Sequence, residues 1–460
     1  MAGLQSAPSS PIQIFSKRNG SGIVTEPPKF DLESYIQNYK GRTRSNRLIH
    51  IGVFSAFLGV DALKLAVREA KAGKDIPRYI DAQTHLETIG PNEPEAVRDN
   101  AWIEQTERQN EAETQRLEAE LKGYKSNLIK ESIRMGNEDL GKHYEAIGDL
   151  PHAFEAFGRM RQDNTVEKHS VDVSKHLIEV AVEQKNWIAV TSNILKLKSV
   201  MNSGLEDLAP QPYIVASQAL AQFDVGNYAD AALTFLQCEA GMGQSCATII
   251  SPNDVAIYGG LCALATMDRN ELQKKVLENS HFRSYLELEP QIRHAISFFI
   301  NSRYTNCLRV LESYHADYLL DIYLQQHIND LYQMIRSKCI VQYFIPFSSC
   351  TLASLNEAFA APGNAMDKEL ILMITRGELN ARINTVDGLL EARKTNPRDE
   401  IQREALRVAD EYEKEATTRI FHTQVTMAGL EVKPVKHRSG GFSSTPYTSF
   451  DADMSGSGLN

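Results

Sequence analysis

A spacing that recurs five times between Gly148 and Leu311 constrains this chain more than any other feature. Each copy places a turn residue first and apolar or small residues at +2, +5 and +9, except that the fourth has Arg269 at +2. The copies are Gly148, Leu150, Ala153, Phe157; Lys185, Trp187, Val190, Ile194; Gly226, Tyr228, Ala231, Phe235; Met267, Arg269, Leu272, Val276; and Ser302, Tyr304, Cys307, Leu311. Offsets of three and four residues keep the side chains on one helical face, so each copy reads as the turn and second helix of a hairpin. The turns stand 37, 41, 41 and 35 residues apart. That is the period of tetratricopeptide-like solenoids, whose hairpins bury their apolar faces only by stacking on neighbours. In two copies the turn chemistry agrees: Gly148 and Gly226 suit a left-handed helix end, with Asp149 and Asn227 capping the next helix. Lys185, Met267 and Ser302 offer no such argument.

The flanks divide the remainder. Residues 1–29 are rich in Ser, Gly and Pro and are expected to be a disordered tail. A helical N-terminal segment follows over 30–132, ending in a long, mostly exposed helix across the Glu- and Arg-rich stretch from Pro94 to Lys122. Its basic cluster, Lys40, Arg42, Arg44 and Arg47, reads as a solvated face or helix end in an acidic chain. The repeats occupy 133–316. Over 317–397 a helix from about Leu320 to Lys338 leads into a β-branched run, Ile340 to Phe344. Thr351 then caps a helix over Leu352 to Ala360, Pro362-Gly363-Asn364 breaks it, and a second helix runs from Ala365 to Arg376. Two strands, Leu379 to Ile383 and Leu389 to Ala392, flank Asn384, Asp387 and Gly388. Helix, turn, helix and hairpin is the order of a winged helix. One long helix over 398–430 and a polar, disordered tail over 431–460 complete the chain.

The fold class is therefore mostly α: a TPR-like helical-repeat solenoid joined to a winged-helix domain and a long C-terminal helix. No run approaches the roughly 18 apolar residues of a membrane span, and no signal-peptide pattern opens the chain, so neither a membrane nor secretion is expected. The six cysteines include no C-x-x-C pair and read as small buried hydrophobes. A net charge of -10 argues against nucleic acid as a partner. So does the second helix of the winged helix, where Lys368 and Arg376 are offset by Asp367 and Glu369. No zinc-protease, phosphate-loop or nucleophile-elbow motif is present. Gly241-Met242-Gly243 opens like a dinucleotide fingerprint, but Cys246 stands at its third glycine position. The chain reads as a non-enzyme with no catalytic, cofactor or metal residues. Lys433, Lys436, His437 and Arg438 read as a solvated basic tail.

A repeat stack joined to a winged helix and closed by a long helix resembles the PCI module of the proteasome lid, the COP9 signalosome and translation initiation factor three. Within that superfamily, Ser251 to Gln273 (SPNDVAIYGGLCALATMDRNELQ) looks like the signature of the COP9 signalosome subunit 1 family. Leu286 to Arg293, Asp31 to Tyr39, Ala101-Trp102, Tyr124 to Arg134 and Asp139 to Tyr144 match as well. The resemblance implies a scaffold subunit of the complex that removes Nedd8 from cullins and so regulates cullin-RING (SCF-type) ubiquitin ligases. It implies other signalosome subunits as partners, the metalloprotease subunit among them, with cullin-RING ligases reached through the complex in cytoplasm and nucleus. It also implies that winged helices associate edge to edge and that the C-terminal helices form a bundle. Carried over, the interface residues are Leu379, Ile383, Leu389 and Leu390 of the hairpin, and Leu406, Tyr412, Ile420 and Phe421 of the last helix. The rival expectations are the paralogous 26S proteasome lid subunit and, in another class, a winged-helix nucleic-acid-binding protein.

Overall fold

Four short helices, Leu32–Gln37, Gly41–Phe54, Gly59–Ala72 and Ile76–Ile89, open the structure, a computed structural model that describes residues 23–163, 167–201, 212–239, 247–359, 366–393 and 397–430. The described residues up to Ala392 belong to one compact unit and those from Arg393 to a second. Asp31 and Asp75 start the first and fourth of these helices by accepting from the N–H groups of Ser34 and Arg78. Gly52 is required where the second and third helices meet, because a Cβ there would lie 2.4 Å from the Leu63 Cγ. The expectation of a disordered tail through residue 29 is corrected at its end. Val24 is buried, donates to the Phe54 carbonyl at 2.8 Å and accepts from the Ala56 N–H at 3.1 Å. The tail upstream lies outside the described residues, as do Gly241-Met242-Gly243, Pro362-Gly363-Asn364 and the tail from 431.

The long helix runs over Asn100–Asn127, started by Asp99, which accepts from the Trp102 N–H. Hairpins follow: Lys130–Ile147 with Leu150–Met160, Glu167–Glu183 with Trp187–Met201, and Pro212–Asp224 with Tyr228–Phe235. Pro252–Thr266 is followed by Arg269–Glu271 and a π-helical turn at Leu272–Leu277, and Pro290–Ile300 pairs with Tyr304–Ser313. The repeat positions are buried as the spacing requires: Ala153, Phe157, Val190, Ala231, Phe235, Leu272, Val276 and Cys307 have no accessible surface. Arg269, which broke the apolar pattern, donates to the hydroxyl of Tyr304 at the same position of the next copy.

Four of the five turns share one geometry. Gly148, Lys185, Gly226 and Ser302 all have positive φ (92°, 54°, 85° and 60°). In each, the next residue's N–H donates to a carbonyl five back: Asp149 to Tyr144, Asn186 to Ala181, Asn227 to Gln222 and Arg303 to Phe298. This paired 6→1 closure satisfies carbonyls that a helix end leaves bare. Lys185 and Ser302 therefore make the turn expected only of the glycines. Met267 does not; it is extended, and Asp268 caps the next turn.

Helix Pro252–Thr266, the centre of the signature stretch, is buried on nearly every side. A Cβ on Gly260 would meet Ile292 at 2.3 Å, and one on Gly259 would meet Phe235 and Phe282 at 3.0 Å. Three neighbouring helices, Tyr228–Phe235, Ser280–Leu288 and Pro290–Ile300, approach as closely as the missing side chains allow.

Beyond the repeats, two readings are corrected. The helix expected from Leu320 begins at Ile328, because the Asp321 carboxylate accepts from the N–H groups of Tyr323 and Leu324 and turns the chain. That helix continues to Phe344, so Ile340 to Phe344 is helical rather than extended. Ile328, Leu331, Ile335 and Cys339 are all buried at helical spacing, and that packed face overrides the β preference of the last turn. Thr351 caps Leu352–Phe359 through the Ser354 N–H, and Asp367–Thr375 is the second helix. The strands are β1 (Ser349–Thr351), β2 (Ala381–Asn384) and β3 (Leu389–Ala392), antiparallel in the order β1-β3-β2. Helix Pro397–Met427 makes up most of the described second unit.

Candidate subunit interface

The three arginines of the basic cluster are enclosed or half-buried rather than on a solvated face, while Lys40 is exposed. Arg47 is 1% exposed, and its guanidinium donates to Asp254 at 2.8 Å, to Asp321 at 2.6 Å and to the Tyr35 hydroxyl at 2.6 Å. Its plane lies over the Tyr39 ring, 4.1 Å from the centroid. Tyr39 donates to Asp254 at 2.7 Å and Tyr258 to Asp321 at 2.6 Å, so the carboxylates are satisfied by hydroxyls as well as by the cation. Burial pushes Asp254 upward against the pull of Arg47. At Asp321 burial acts the same way, but Arg47, the Tyr258 hydroxyl and the Leu324 N–H hold the carboxyl below the ordinary range. Arg42 bridges Asp75 at 2.5 Å and Glu183 at 2.6 Å, and Arg44 pairs with Glu69 at 2.9 Å. Arg42 and Arg47 thus tie the N-terminal helices to the repeats, while Arg44 joins two of the N-terminal helices to each other. Asp254 and Tyr258 belong to the signature stretch, which gives that stretch a physical task.

A second tie joins the repeats to the winged helix. Lys338 donates to the carbonyls of Leu264 and Met267 at the end of Pro252–Thr266, and burial lowers its pKa to about 8. Arg336 grips Glu369 through two hydrogen bonds of 2.6 and 3.0 Å and donates to the Phe359 carbonyl at 2.8 Å. Glu369 and Arg336 are thereby committed to holding the winged helix in place, which leaves Lys368 and Arg376 as the cations on its second helix. Arg376 in turn lies 3.9 Å from Glu378. On that helix Leu370 and Met373 are buried, whereas Ile371 and Leu372 are about half exposed.

The structure separates the proposed interface residues. Leu379 and Leu390 are buried in the core of the winged helix, so neither is offered to a partner. Leu390 sits between both neighbours of β3, opposite Cys350 and Ile383. Ile383 and Leu389 are half-buried. Among the described residues only β3 is paired on both sides, so β1 and β2 each keep an open edge for strand addition.

Helix Pro397–Met427 is 31 residues, about 46 Å at 1.5 Å per residue. Ile401, Ala405, Val408, Tyr412, Ala416, Ile420, Thr423 and Met427 repeat at steps of three and four and form one stripe. The large members, Ile401, Val408, Tyr412, Ile420 and Met427, are all more than half exposed. Tyr412 and Ile420 lie on the stripe. Leu406 and Phe421 are equally exposed but point about 140° and 200° round the helix from Ile401. Ile401 and Val408 read in the sequence as apolar positions of this helix without being placed at the interface, and Met427 lies on the same heptad-like steps. The helix thus carries one exposed apolar seam, with ion pairs elsewhere (Arg407 with Glu404 and Glu411, Arg419 with Glu415).

Among the described residues no group of three or more His, Cys, Asp or Glu is placed to hold a metal ion, and no helix is long and apolar enough to cross a membrane. Cys238, Cys262, Cys307 and Cys339 are buried and Cys350 is partly so.

Comparison with known proteins agrees with this architecture. The family described as 26S proteasome subunit RPN7 matches residues 99–275, and the PCI domain matches residues 311–394. COP9 signalosome complex subunit 1 of Emericella nidulans is 49% identical over 424 residues, covering 90% of this chain and 85% of that protein. Its counterpart in Neurospora crassa is 47% identical over 410 residues, covering 89% and 93%. The 26S proteasome non-ATPase regulatory subunit 6 of Dictyostelium discoideum is 20% identical over 352 residues, covering 76% and 89%. A repeat stack fused to a PCI winged helix, with identity near one half across almost the full length, settles the kinship: this chain belongs to the COP9 signalosome subunit 1 family.

Proposed function

We propose that this chain is a non-catalytic scaffold subunit of the COP9 signalosome, the complex that removes Nedd8 from cullins and so regulates cullin-RING ubiquitin ligases. The observation that carries the reading is the 49% identity to a protein of that name over 90% of the chain. The described surface is consistent with it. The open edges of β1 and β2 suit lateral pairing with the winged helices of other PCI subunits, and the seam of Pro397–Met427 suits a bundle. Contact with the metalloprotease subunit comes through the complex, and cullin-RING ligases are engaged by the whole assembly, in cytoplasm and nucleus.

The test is affinity purification of the tagged full chain from its own cells, with mass spectrometry of its partners and an assay for Nedd8 removal from a cullin. Recovery of a metalloprotease-containing signalosome with that activity is expected, with the purified chain alone inert. Recovery of proteasome lid subunits in its place, or activity of the isolated chain, would overturn the reading. Imaging of the tagged chain checks the compartments.

A further inference from the structure

The turn between Asn127 and Lys130 breaks two local rules at once. Leu128 ends the long helix in the left-handed conformation, φ 55° and ψ 26°, a region that costs every residue with a side chain and costs glycine least. Ile129 then occupies the N-cap of Lys130–Ile147, a position that wants Ser, Thr, Asp or Asn, and makes no capping hydrogen bond. At Gly148-Asp149 and Gly226-Asn227 glycine takes the positive φ and the next side chain caps, whereas Ser302-Arg303, like Leu128-Ile129, has neither, but with polar side chains. Neither aliphatic is kept for packing, since Leu128 is 82% exposed and Ile129 54%.

Within the turn itself the charges are of one sign, while the glutamates on either side, Glu120 and Glu131, are taken up by Arg116 and Arg134. Residues 122–130 are all exposed and include Lys122, Lys125 and Lys130 but no Asp or Glu, in a chain whose net charge is -10. No ion pair within 4 Å involves these three lysines among the described residues, whereas Arg116 and Arg134 on the same two helices are each held by two glutamates. Beside the tip lies a cavity of about 430 Å³ lined by Leu121, Lys122, Lys125, Leu140 and Tyr144, with Glu118 and Glu155 at its wall. The hairpin has a small core of its own, Leu117, Leu121 and Leu140, separate from the main core.

We propose that the Leu128-Ile129 tip, ringed by Lys122, Lys125 and Lys130, docks another protein through an apolar cleft bordered by carboxylates. The backbone geometry recurs at Ser302-Arg303, but only here are both side chains aliphatic and exposed, which is a cost in solvent that the turn does not require and which locates their use outside the fold. The unpaired lysines set the charge of the partner. A shaped cavity of mixed charge beside the tip suits a protein side chain, whereas a lipid surface would use only apolar area and net positive charge. This surface is distinct from the winged helix and the last helix, so it adds a contact to those through which the chain is proposed to assemble.

The test places a photo-crosslinking benzoylphenylalanine at Asn127 of the tagged full chain in its own cells. The expected product is a crosslink to one protein at a segment carrying clustered Asp or Glu, reduced roughly tenfold or more by Lys122→Glu, Lys125→Glu and Lys130→Glu together. A second variant, Leu128→Gly with Ile129→Asn, installs the residue pair of Gly226-Asn227. It is expected to melt no lower than the parent and yet to lose the crosslink, an outcome that a purely structural turn would not give. Co-purification of signalosome subunits, read on the same samples, reports separately on assembly. A crosslink indifferent to the lysine reversal, one confined to lipid together with binding to phosphatidylserine vesicles, no crosslink outside this chain, or a lower melting temperature for the Gly-Asn variant would each overturn the proposal.

Discussion

Arginine and carboxylate meet both around Arg47 and along helix Pro397–Met427, and they do different work in the two places. Arg47 is enclosed, with partners 207 and 274 residues away in the chain. Arg407 is exposed, with partners three and four residues away. The first set decides which helices of the first unit come together; the second adds solubility and little else. The two settings teach that charge in this chain is structural where it is long-range, and that on the exposed helix the ion pairs stay local while the apolar seam lies open.

Replacing Arg47 tests the contrast most severely. Arg47→Ala leaves two buried carboxylates without their cation and is expected to cost about 3–5 kcal/mol in denaturant or thermal unfolding. The triple variant Arg47→Met, Asp254→Asn, Asp321→Asn removes the charges together and should recover most of that loss. An Arg47→Ala protein as stable as the parent would erase the distinction drawn here. Ala231→Phe measures the same body without charge: Ala231 has no accessible surface, and overpacking there should cost roughly 1–3 kcal/mol.

Glu183 sharpens the comparison through pH. Burial, opposed by Arg42, lifts its carboxyl from 4.5 to about 7, with Glu145 adding to the rise and Arg78 opposing it. Below pH 4.5 the group is protonated in both states, and between 4.5 and 7 only the folded state keeps the proton. Its contribution to stability is therefore lost as pH rises through that window and is constant above it. Glu183→Gln should flatten this slope in melts recorded from pH 4.5 to 7.5; an unchanged slope would assign it to other groups. The smallest effect belongs to the exposed helix. Arg407→Ala should leave the melting temperature where it was. Ile420→Asp should do the same while reducing recovery of partner subunits, and full recovery would remove the seam from the assembly.

How much of this was open to reading from residues alone depends on the range of the interaction. The repeat helices were, because offsets of three and four are local and Phe157, Val190 and Phe235 obey them. Two of the left-handed turns were, because glycine announces them; Lys185 and Ser302 take the same φ without a compositional sign. Arg47 was misjudged because neither Asp254 nor Asp321 is near it in sequence, and a cluster of cations looks alike whether solvated or enclosed. The hairpin was found, but alternation does not say which face is covered, so Leu379 and Leu390 were assigned to partners when they form the core. Strand β1 is three residues long, and its pairing with β3 spans some forty positions, beyond any local pattern.

The reach of Arg47 has a consequence for synthesis. At about 5–20 residues per second, the segments bearing Asp254 and Asp321 are made roughly 10 to 55 seconds after Arg47. Through that interval the helices Leu32–Gln37 and Gly41–Phe54 lack their final seat, and the arginine stays hydrated. Chains arrested on the ribosome before and after Asp321 emerges should differ in protease resistance near residue 47. Equal resistance would mean that the N-terminal helices are already protected before their carboxylate partners appear.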